Sequence, residues 1–443
     1  MERKTARQIA VDTLVASRKD RAWADGYLKA AIQKNGLDHR DAALATRLGY
    51  GILQNQALLD FYIGQYCVQP PERLEPIVLD ILRLGAYQIL FMDRIPDSAA
   101  VSEAVDLIRR YDRARAAGMV NAVLRKIASN KANLPAIPAD DPVAYLATRY
   151  SHPAWLVRRC IALLGRAEAE AFLACNNEAV ETTIQYNPLR GSEEELVESL
   201  RQCGVSVTRH PWLPGCYTLA KTGNLSQLPA FQEGRFLVQD AAAKLTALAA
   251  GVHSGMTILD LCAAPGGKSF AMAMEMGNQG DICSFDLHKS KIRLIREGAQ
   301  RLGITCIQAA CGNAKEFKPE LEQRADVVLC DVPCSGLGII RKKPDIRLKR
   351  EQELAGLPSV QGAILENAAR YVKPGGVLVY STCTILPQEN EGVTDRFLEK
   401  HGDFAREVFS LPEPLGRIAD GQITLWPQRQ GTDGFYICRM RKQ

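Results

Sequence analysis

One segment, Thr257-Ile-Leu-Asp-Leu-Cys-Ala-Ala-Pro-Gly-Gly-Lys-Ser269, constrains the fold of this chain more than any other. An apolar, strand-like run ends there in small residues and two glycines, and a helix-like stretch follows over residues 270–276. Gly266 and Gly267 allow a sharp turn and the close approach of a ligand, and the helix N-terminus behind them offers N–H groups to that ligand. The segment predicts a Rossmann-like cofactor site. It matches neither G-x-G-x-x-G nor Walker A, which disfavours a dinucleotide enzyme and a P-loop ATPase.

An acid stands directly after the next strand-like run, residues 281–285. In that position Asp286 can accept hydrogen bonds from ribose hydroxyls. It can equally serve as the N-cap of the helix expected over residues 289–301. The sequence alone leaves both interpretations open.

Two further segments each place a cysteine just past an apolar, strand-like run. They are Asp331-Val-Pro-Cys-Ser-Gly336, after residues 325–330, and Tyr380-Ser-Thr-Cys383, at the end of residues 377–380. Loops beyond the carboxyl ends of strands line the crevice of an open α/β sheet, so both thiols should reach one crevice. Two thiols there suggest covalent chemistry or a disulfide, and the nearby acid favours the first. Spacing does not decide which cysteine attacks, since neighbouring positive charge could stabilise either thiolate.

Together these segments resemble the cytosine-5 RNA methyltransferases, and among them the bacterial small-subunit (16S) rRNA enzymes of the RsmB (Sun/Fmu) type. The resemblance extends to Pro387, to Glu389-Asn390 and to the closing Thr432-Asp-Gly-Phe-Tyr436. It is specific from residue 236 to the C-terminus, and looser over the N-terminal part, which resembles the NusB RNA-binding domain. It implies an enzyme that uses S-adenosylmethionine as cofactor and small-subunit rRNA as substrate.

The resemblance also implies the roles of the site residues. Cys383 is the nucleophile that adds to carbon 6 of cytosine, which makes carbon 5 able to attack a methylsulfonium, and Cys334 assists product release. Asp331 stabilises the adduct near N3, and the base must be unstacked to enter the pocket. The DNA cytosine methyltransferases use the Pro-Cys cysteine instead, so the assignment depends on the match to the RNA enzymes. The expected cofactor contacts are Cys262, Ala263, Ala264, Pro265, Gly266, Gly267, Lys268, Asp286, Asn313 and Asp331.

Three details of that site remain open or depart from the family. Lys268 could contact the cofactor, the RNA or a neighbouring carboxylate. Asn313 stands where the family usually has aspartate; its carbonyl can still accept a hydrogen bond from the adenine amino group, without charge assistance. Leu348 occupies a position that is commonly Trp, which puts a stacking or packing role there in doubt.

The net charge of +5 is modest, but the basic residues are clustered. Such clusters position a phosphate backbone without reading its sequence, although a solvated helix face is the alternative for the first of them. The second cluster follows the first cysteine motif directly. The RNA contacts expected from the two clusters are Arg109, Arg110, Arg113, Arg125 and Lys126 in one, and Arg341, Lys342, Lys343 and Arg347 in the other.

The predicted fold class is α/β, in three parts. Residues 1–142 show helical spacing and form the NusB-like RNA-binding domain. Residues 143–235 form a small α/β module, RRM-like by resemblance, with strands over 182–186 and 205–208 and a capping box at Ser192-Glu-Glu-Glu195. Residues 236–443 alternate strand and helix periods and form the Rossmann-like class I methyltransferase domain, ending in an antiparallel hairpin of residues 423–426 and 434–439 at the sheet edge.

Several classes are disfavoured by composition. The 13 cysteines include no C-x-x-C pair and no histidine at metal-ligand spacing, so no metal is expected. No secretory signal is evident, and the most apolar stretch, residues 76–92, is too short and too charged to span a membrane, so we expect a cytoplasmic monomer. The alternatives are action on another RNA (large-subunit rRNA or tRNA), a non-catalytic RNA-binding assembly factor, and methylation of a protein or small molecule. The last leaves the basic cluster and the second cysteine unexplained.

Overall fold

The chain forms two compact units in the computed structural model, which describes residues 3–19 and 24–443. The first unit contains Met1–Glu178 together with Ile340–Glu351, and the second contains Ala179–Ile339 together with Gln352–Gln443. The segment that follows the first cysteine motif therefore packs with the helical N-terminal part, a pairing that no sequence pattern indicates.

The first unit is helical. The segment Ile340–Glu351 returns to this unit from later in the chain and is called the returning segment below. It contains a 3₁₀ turn over Pro344–Leu348. The helices of the first unit are α1 (Ala6–Lys19), α2 (Ala24–Asn35), α3 (His39–Gln54), α4 (Gln56–Tyr66), α5 (Pro76–Phe91), α6 (Asp97–Arg110), α7 (Ala117–Ser129), α8 (Pro142–Arg149), α9 (Ala154–Leu164) and α10 (Arg166–Cys175).

Helix α5 forms the centre of this unit, because every residue from Val78 to Ile89 is buried. A helix that is apolar on all sides needs neighbours on all sides. The two charges within it are paired: Arg83 bonds Asp60 at 2.7 Å and Asp80 at 2.9 Å, and Arg18 bonds Asp80 at 2.6 Å. Asp80 and Arg83, the charged residues that disfavour a membrane span in this stretch, are thus buried and paired.

The second unit begins with a small four-stranded antiparallel sheet in the order β2-β3-β1-β4. The predicted capping box is present, with Ser192 accepting from the Glu195 N–H and Glu195 accepting from the Ser192 N–H. The last strand begins one residue past the predicted end of the module. The elements are β1 (Thr182–Tyr186), α11 (Glu193–Gln202), β2 (Ser206–Arg209), β3 (Cys216–Ala220), α12 (Pro229–Gln232) and β4 (Phe236–Val238).

An eight-stranded sheet follows, in the order β10-β14-β9-β8-β5-β6-β7 with β13 beside β14; β11 and β12 form a separate pair. Strands β5 to β9 pair in parallel with one another, whereas β14 pairs antiparallel with β9. The elements are α13 (Ala241–Ala249), β5 (Thr257–Asp260), α14 (Gly267–Glu275), β6 (Asp281–Asp286), α15 (Lys289–Leu302), β7 (Ile307–Cys311), β8 (Ala325–Asp331), α16 (Leu357–Ala369), β9 (Val372–Thr382), α17 (Glu391–Lys400), β10 (Phe404–Arg406), β11 (Phe409–Ser410), β12 (Arg417–Ile418), β13 (Gln422–Leu425), α18 (Pro427–Gln430) and β14 (Phe435–Lys442).

Both faces of this sheet are covered, which explains the continuous apolar runs of its central strands. In β8, Val327 and Leu329 pack with residues of α13, α14 and α15, whereas Val328 and Cys330 pack with residues of α16 and α17. The Rossmann-like prediction for this part of the chain is confirmed.

The predicted terminal hairpin is present, but one of its strands is internal. β13 and β14 pair antiparallel, with Ile423 opposite Ile437. β14 is eight residues long and pairs with β9 on its other side. β13 pairs with the first part of β14, and β10 pairs with its last part. The edge of the sheet is therefore formed by β10 and β13.

Candidate active site

The site lies at the topological switch point of the large sheet. The chain runs from β5 outward to β6 and β7, and then returns to place β8 and β9 on the other side of β5. In such sheets ligands bind beyond the carboxyl ends of the two strands that flank the reversal. Asp260 ends β5 and Asp331 ends β8, so two carboxyl groups mark this crevice.

The glycine turn between β5 and α14 is closely packed. Gly266 has a φ of 109°, and a Cβ there would stand 2.4 Å from the Phe270 ring, so both backbone and space exclude a side chain. The Ala263 N–H donates to the Phe285 carbonyl at 2.7 Å, which ties the turn to β6. Helix α14 begins at Gly267, with its N-terminus directed at the crevice edge of the sheet. These features suit a cofactor carrying polar groups.

Asp286 is the last residue of β6 and is 8% exposed. Its Oδ1 accepts from the His288 N–H at 3.0 Å, and Lys291 lies 3.9 Å away. The N-cap of α15 is His288, so the interpretation of Asp286 as the cap is wrong. A strand-end carboxylate at this place in the sheet matches the chemistry of a ribose site.

Asn313 follows β7 and lines a pocket together with Leu261, Phe285 and Ala314. Its amide nitrogen donates to Glu316 at 2.8 Å, and its Oδ1 accepts from the Lys315 N–H at 3.1 Å. A carbonyl oxygen has two lone pairs, so Oδ1 can accept a second hydrogen bond. The glycine turn, Asp286 and this pocket line one edge of the sheet, and their chemistry fits S-adenosylmethionine.

Lys268 pairs with Asp331, one of the three alternatives that the sequence left open. Its Nζ lies 2.6 Å from Asp331 Oδ2 and 4.8 Å from the centre of the Phe435 ring. Burial opposes the positive charge, but the charge and hydrogen bond of Asp331 hold the pKa of Lys268 above its usual value. Ser381 donates to Asp331 Oδ1 at 2.9 Å, so both carboxylate oxygens have a donor.

The two cysteines meet in this crevice. Their sulfur atoms are 3.2 Å apart, and each residue follows the end of one of two adjacent parallel strands, β8 and β9. The pKa of Cys334 lies well above that of an ordinary thiol, first because its S–H bonds Cys383, then through burial, and then through the negative charges of Cys383, Glu389 and Asp331. The raised pKa favours the protonated thiol at Cys334.

The loops that carry the cysteines are fixed to each other. The hydroxyls of Ser335 and Thr384, each one residue beyond a cysteine, are 2.6 Å apart. The Gly338 N–H donates to the Cys383 carbonyl at 2.9 Å, and the Gly434 N–H donates to the Gly338 carbonyl at 2.8 Å. A Cβ on Gly338 would lie 1.9 Å from the Gly434 carbonyl oxygen, so only glycine permits this approach.

Asp260 ends β5, directly before the glycine turn, and nothing in the sequence assigns it a role. It is 1% exposed, and its Oδ2 accepts from the Ser269 hydroxyl at 2.7 Å. Burial, opposed by the Ser269 hydrogen bond and Lys268 and assisted by the charge of Asp331, raises the pKa of Asp260 to about 7. A carboxyl group that titrates near neutral pH beneath a cofactor turn could not be inferred from spacing.

The first basic cluster lies on the surface of the helical unit. Arg109, Arg110, Arg113, Arg125 and Lys126 are all exposed. Arg109 bonds Asp106 at 3.3 Å, and Arg113 bonds Glu75 at 2.5 Å. A groove between α6 and α7 is lined by Arg109 and Arg125 among others. The placement suits a phosphate backbone, and the RNA contacts themselves stay a prediction.

The second cluster divides into partly exposed residues and one buried residue. Lys343 is exposed, and Arg341 and Lys342 are partly exposed, whereas Arg347 is 6% exposed. The guanidinium of Arg347 donates to the carbonyls of Gln54, Tyr150, Ser151 and Asn176 and to the Asn177 side chain. It therefore secures the returning segment within the helical unit, and an RNA contact by Arg347 is not supported. Leu348, beside it, is 40% exposed.

Several side chains of the site were missed as functional candidates. Ser381, Glu389 and Phe435 lie within segments that carry the family resemblance, whereas Gln361 carries no local signal. Across the described ranges no group of three or more His, Cys, Asp or Glu could hold a metal ion. Within the same residues no helix is long and apolar enough to cross a membrane.

Known proteins resemble this chain over its whole length. Models described as 16S rRNA methyltransferase RsmB/F, the NusB family and an RsmF/B-like ferredoxin-like domain match residues 247–441, 4–129 and 152–226. A Bacillus subtilis (strain 168) protein, described as a probable ribosomal RNA small subunit methyltransferase B, is 37% identical and covers 100% of both chains. The crystal structure of PH0851 has a TM-score of 0.82 at 29% identity, covering 100% of this chain and 99% of the other. That of NSun6 from Pyrococcus horikoshii with SFG has a TM-score of 0.59 at 24% identity, covering 66% and 98%.

Proposed function

Because the chain belongs to the 16S rRNA methyltransferase RsmB/F family, we propose that it methylates carbon 5 of a cytosine in small-subunit rRNA through a covalent adduct with Cys383. The observation that carries the proposal is the 3.2 Å approach of the Cys334 and Cys383 sulfurs beside the Lys268–Asp331 pair. A nucleophile next to a proton carrier is the minimum that addition to an aromatic base requires.

Cofactor binding falls to the residues around the glycine turn. S-adenosylmethionine supplies a methyl group on a positively charged sulfur when it is bound. The turn at Gly266 and Gly267 admits its polar end, Asp286 accepts from its ribose hydroxyls, and Asn313 Oδ1 accepts from the adenine amino group. A carboxylate at Asp286 suits hydroxyl donors, and the neutral amide of Asn313 suits a neutral amine.

The addition step begins at Cys383. Its thiolate forms a bond to carbon 6, and the displaced electron pair makes carbon 5 nucleophilic while N3 gains a proton. The Lys268–Asp331 pair shares a proton over 2.6 Å and stands ready to deliver it. Carbon 5 then takes the methyl group. Lys268 therefore serves Asp331 and the base in this scheme, and its contact with the cofactor stays a prediction.

Release of the product reverses the addition. Once Cys383 is bound to carbon 6 it no longer carries the charge that opposes ionisation of Cys334, so Cys334 can lose its proton to solvent. The Cys334 thiolate then removes the proton from carbon 5. The carbon–sulfur electron pair returns to Cys383, and N3 returns its proton to the Lys268–Asp331 pair. The net products are 5-methylcytosine, demethylated cofactor and one proton.

The function is tested by incubating the purified chain with S-adenosylmethionine and 16S rRNA, then analysing digested nucleosides by mass spectrometry. We expect 5-methylcytidine from 16S rRNA and none from Cys383→Ala. 23S rRNA and tRNA serve as parallel substrates. Product from either of these alone would favour the corresponding alternative substrate, and no 5-methylcytidine from any RNA would contradict the proposal.

A further inference from the structure

Two buried side chains hold the peptide groups on either side of Cys334. Gln361, on α16, donates from Nε2 to the Pro333 carbonyl at 3.0 Å. Glu389 accepts at Oε2 from the Ser335 N–H at 2.9 Å. The same Nε2 of Gln361 donates to Glu389 Oε2 at 2.8 Å, which closes the arrangement. Both peptide bonds of Cys334 are thereby fixed from one side.

Glu389 is itself held in place by the strand that carries the partner cysteine. The Tyr380 hydroxyl, on β9 three residues before Cys383, donates to the Glu389 carbonyl at 2.5 Å. The Glu389 N–H donates to the Leu386 carbonyl at 3.0 Å. Glu389 is 1% exposed and Gln361 is fully buried, so neither side chain can move aside into solvent.

The carboxylate also sets the charge around Cys334. Two N–H donors converge on Glu389 Oε2, and among the described residues Oε1 has no hydrogen-bond partner. Its negative charge is one of the causes that hold the pKa of Cys334 above that of an ordinary thiol. By contrast, the charge of Cys383 acts favourably on the ammonium of Lys268. One thiol therefore faces a buried acid, whereas the other has a cation nearby.

We propose that Glu389 is the positioning residue that keeps Cys334 in the thiol form and so leaves the attacking role to Cys383. The inference rests on the proposed function, because it explains how two adjacent thiols take unequal parts in that reaction. Gln361 shares the positional work but carries no charge. Glutamine at position 389 retains an acceptor oxygen, so a purely structural role of Glu389 would be preserved in Glu389→Gln. The effect of the negative charge on the protonation of Cys334 would be lost.

The test titrates Cys334 directly and needs no RNA. In Cys383→Ala protein the hydrogen bond and charge of the partner thiol are absent, so burial and the charges of Glu389 and Asp331 are what remain to raise the pKa of Cys334. The rate of its alkylation by iodoacetamide is followed against pH, with the Cys334 peptide quantified by mass spectrometry. We expect a midpoint above the ordinary thiol value of about 8.5. Adding Glu389→Gln should lower that midpoint by about one pH unit.

Glu391→Gln is the matched control. Glu391 lies two residues further on, is partly buried and accepts from Thr424 rather than from the Cys334 loop. The midpoint should not move in this variant. An unchanged midpoint with Glu389→Gln, or an equal shift with Glu391→Gln, would overturn the inference. An ordinary midpoint in the Cys383→Ala protein would also overturn it, whether or not the Glu389→Gln protein folds. Formation of 5-methylcytidine by the unmodified chain is read separately, so the proposed function can stand when the inference fails.

Discussion

Lys268 shows how one contact changes the interpretation of a site residue. The glycine-turn pattern places it among the cofactor contacts, yet its Nζ is 2.6 Å from Asp331 and lies over the Phe435 ring. Asp331 comes from a strand 63 positions further along the chain, so the pairing follows from the order of strands in the sheet. The paired cysteines and Asp331 are placed by strand ends, which sequence patterns detect well. Sequence patterns do not detect which residue a long side chain such as that of Lys268 will pair with.

Replacement of Lys268 by methionine removes the proton carrier while retaining an apolar stem over Phe435. We expect the methylation rate at saturating cofactor to fall by about 100-fold or more, the usual size of a lost acid–base contribution. The dissociation constant for S-adenosylmethionine, measured by calorimetry, should change by less than about threefold, or under 1 kcal/mol. A weakened cofactor complex with a normal rate at saturation would instead make Lys268 a cofactor ligand.

Asp260 gives the folded protein a specific dependence on pH. Its pKa rises from 3.8 to about 7 on folding, so between those values the folded state holds a proton that the unfolded state has lost. Stability therefore falls as the pH rises through this window, by up to about 1.4 kcal/mol for each pH unit. Asp260→Asn cannot titrate and should exceed the parent in thermal midpoint by more at pH 8 than at pH 5. Plots of thermal midpoint against pH that run parallel for the parent and Asp260→Asn would contradict the expectation. Asp281→Asn, which replaces an exposed carboxylate, is the control.

At the scale of elements, the sequence predicted those helices and strands that depend on interactions between residues close together in the chain. The capping box of α11, the strand at Thr182–Tyr186 and the parallel strands β5 to β9 follow from side-chain spacing, capping and apolar runs. The segment Ile340–Glu351 does not, because its basic residues suggest a surface loop. Its packing with the helical unit depends on carbonyls contributed by helix ends far away in sequence. The carbonyls that accept from Arg347 lie far away in sequence, so the residues around Arg347 show no pattern that would predict these hydrogen bonds.

Two basic residues of that segment should respond differently to the same change. Arg347→Met leaves several buried carbonyls without a donor, at about 1–3 kcal/mol each, so a clear loss in the free energy of unfolding is expected. Lys343→Met should change stability by less than about 0.5 kcal/mol and, if Lys343 contacts phosphate, lower the salt slope of RNA binding by about one. Denaturant unfolding and binding at several salt concentrations separate the two. Unchanged stability in Arg347→Met together with weaker RNA binding would contradict this division.

At the scale of the whole molecule, two compact units divide the chemistry. The second unit contains the glycine turn, the Lys268–Asp331 pair and both cysteines. The first carries the exposed basic residues of α6 and α7 and includes the returning segment. The meeting of the two cysteines could be anticipated because both residues follow strand ends. The RNA target could not, because exposed arginines specify a phosphate backbone and no particular base.

The division of labour between the two cysteines is tested most directly by trapping the covalent adduct. Each Cys→Ala variant is incubated with S-adenosylmethionine and 16S rRNA, and denaturing gels are examined for protein linked to RNA. We expect Cys334→Ala to accumulate the adduct, because Cys383 can attack but release is impaired. Cys383→Ala should form none. An adduct in Cys383→Ala and its absence in Cys334→Ala would contradict the account.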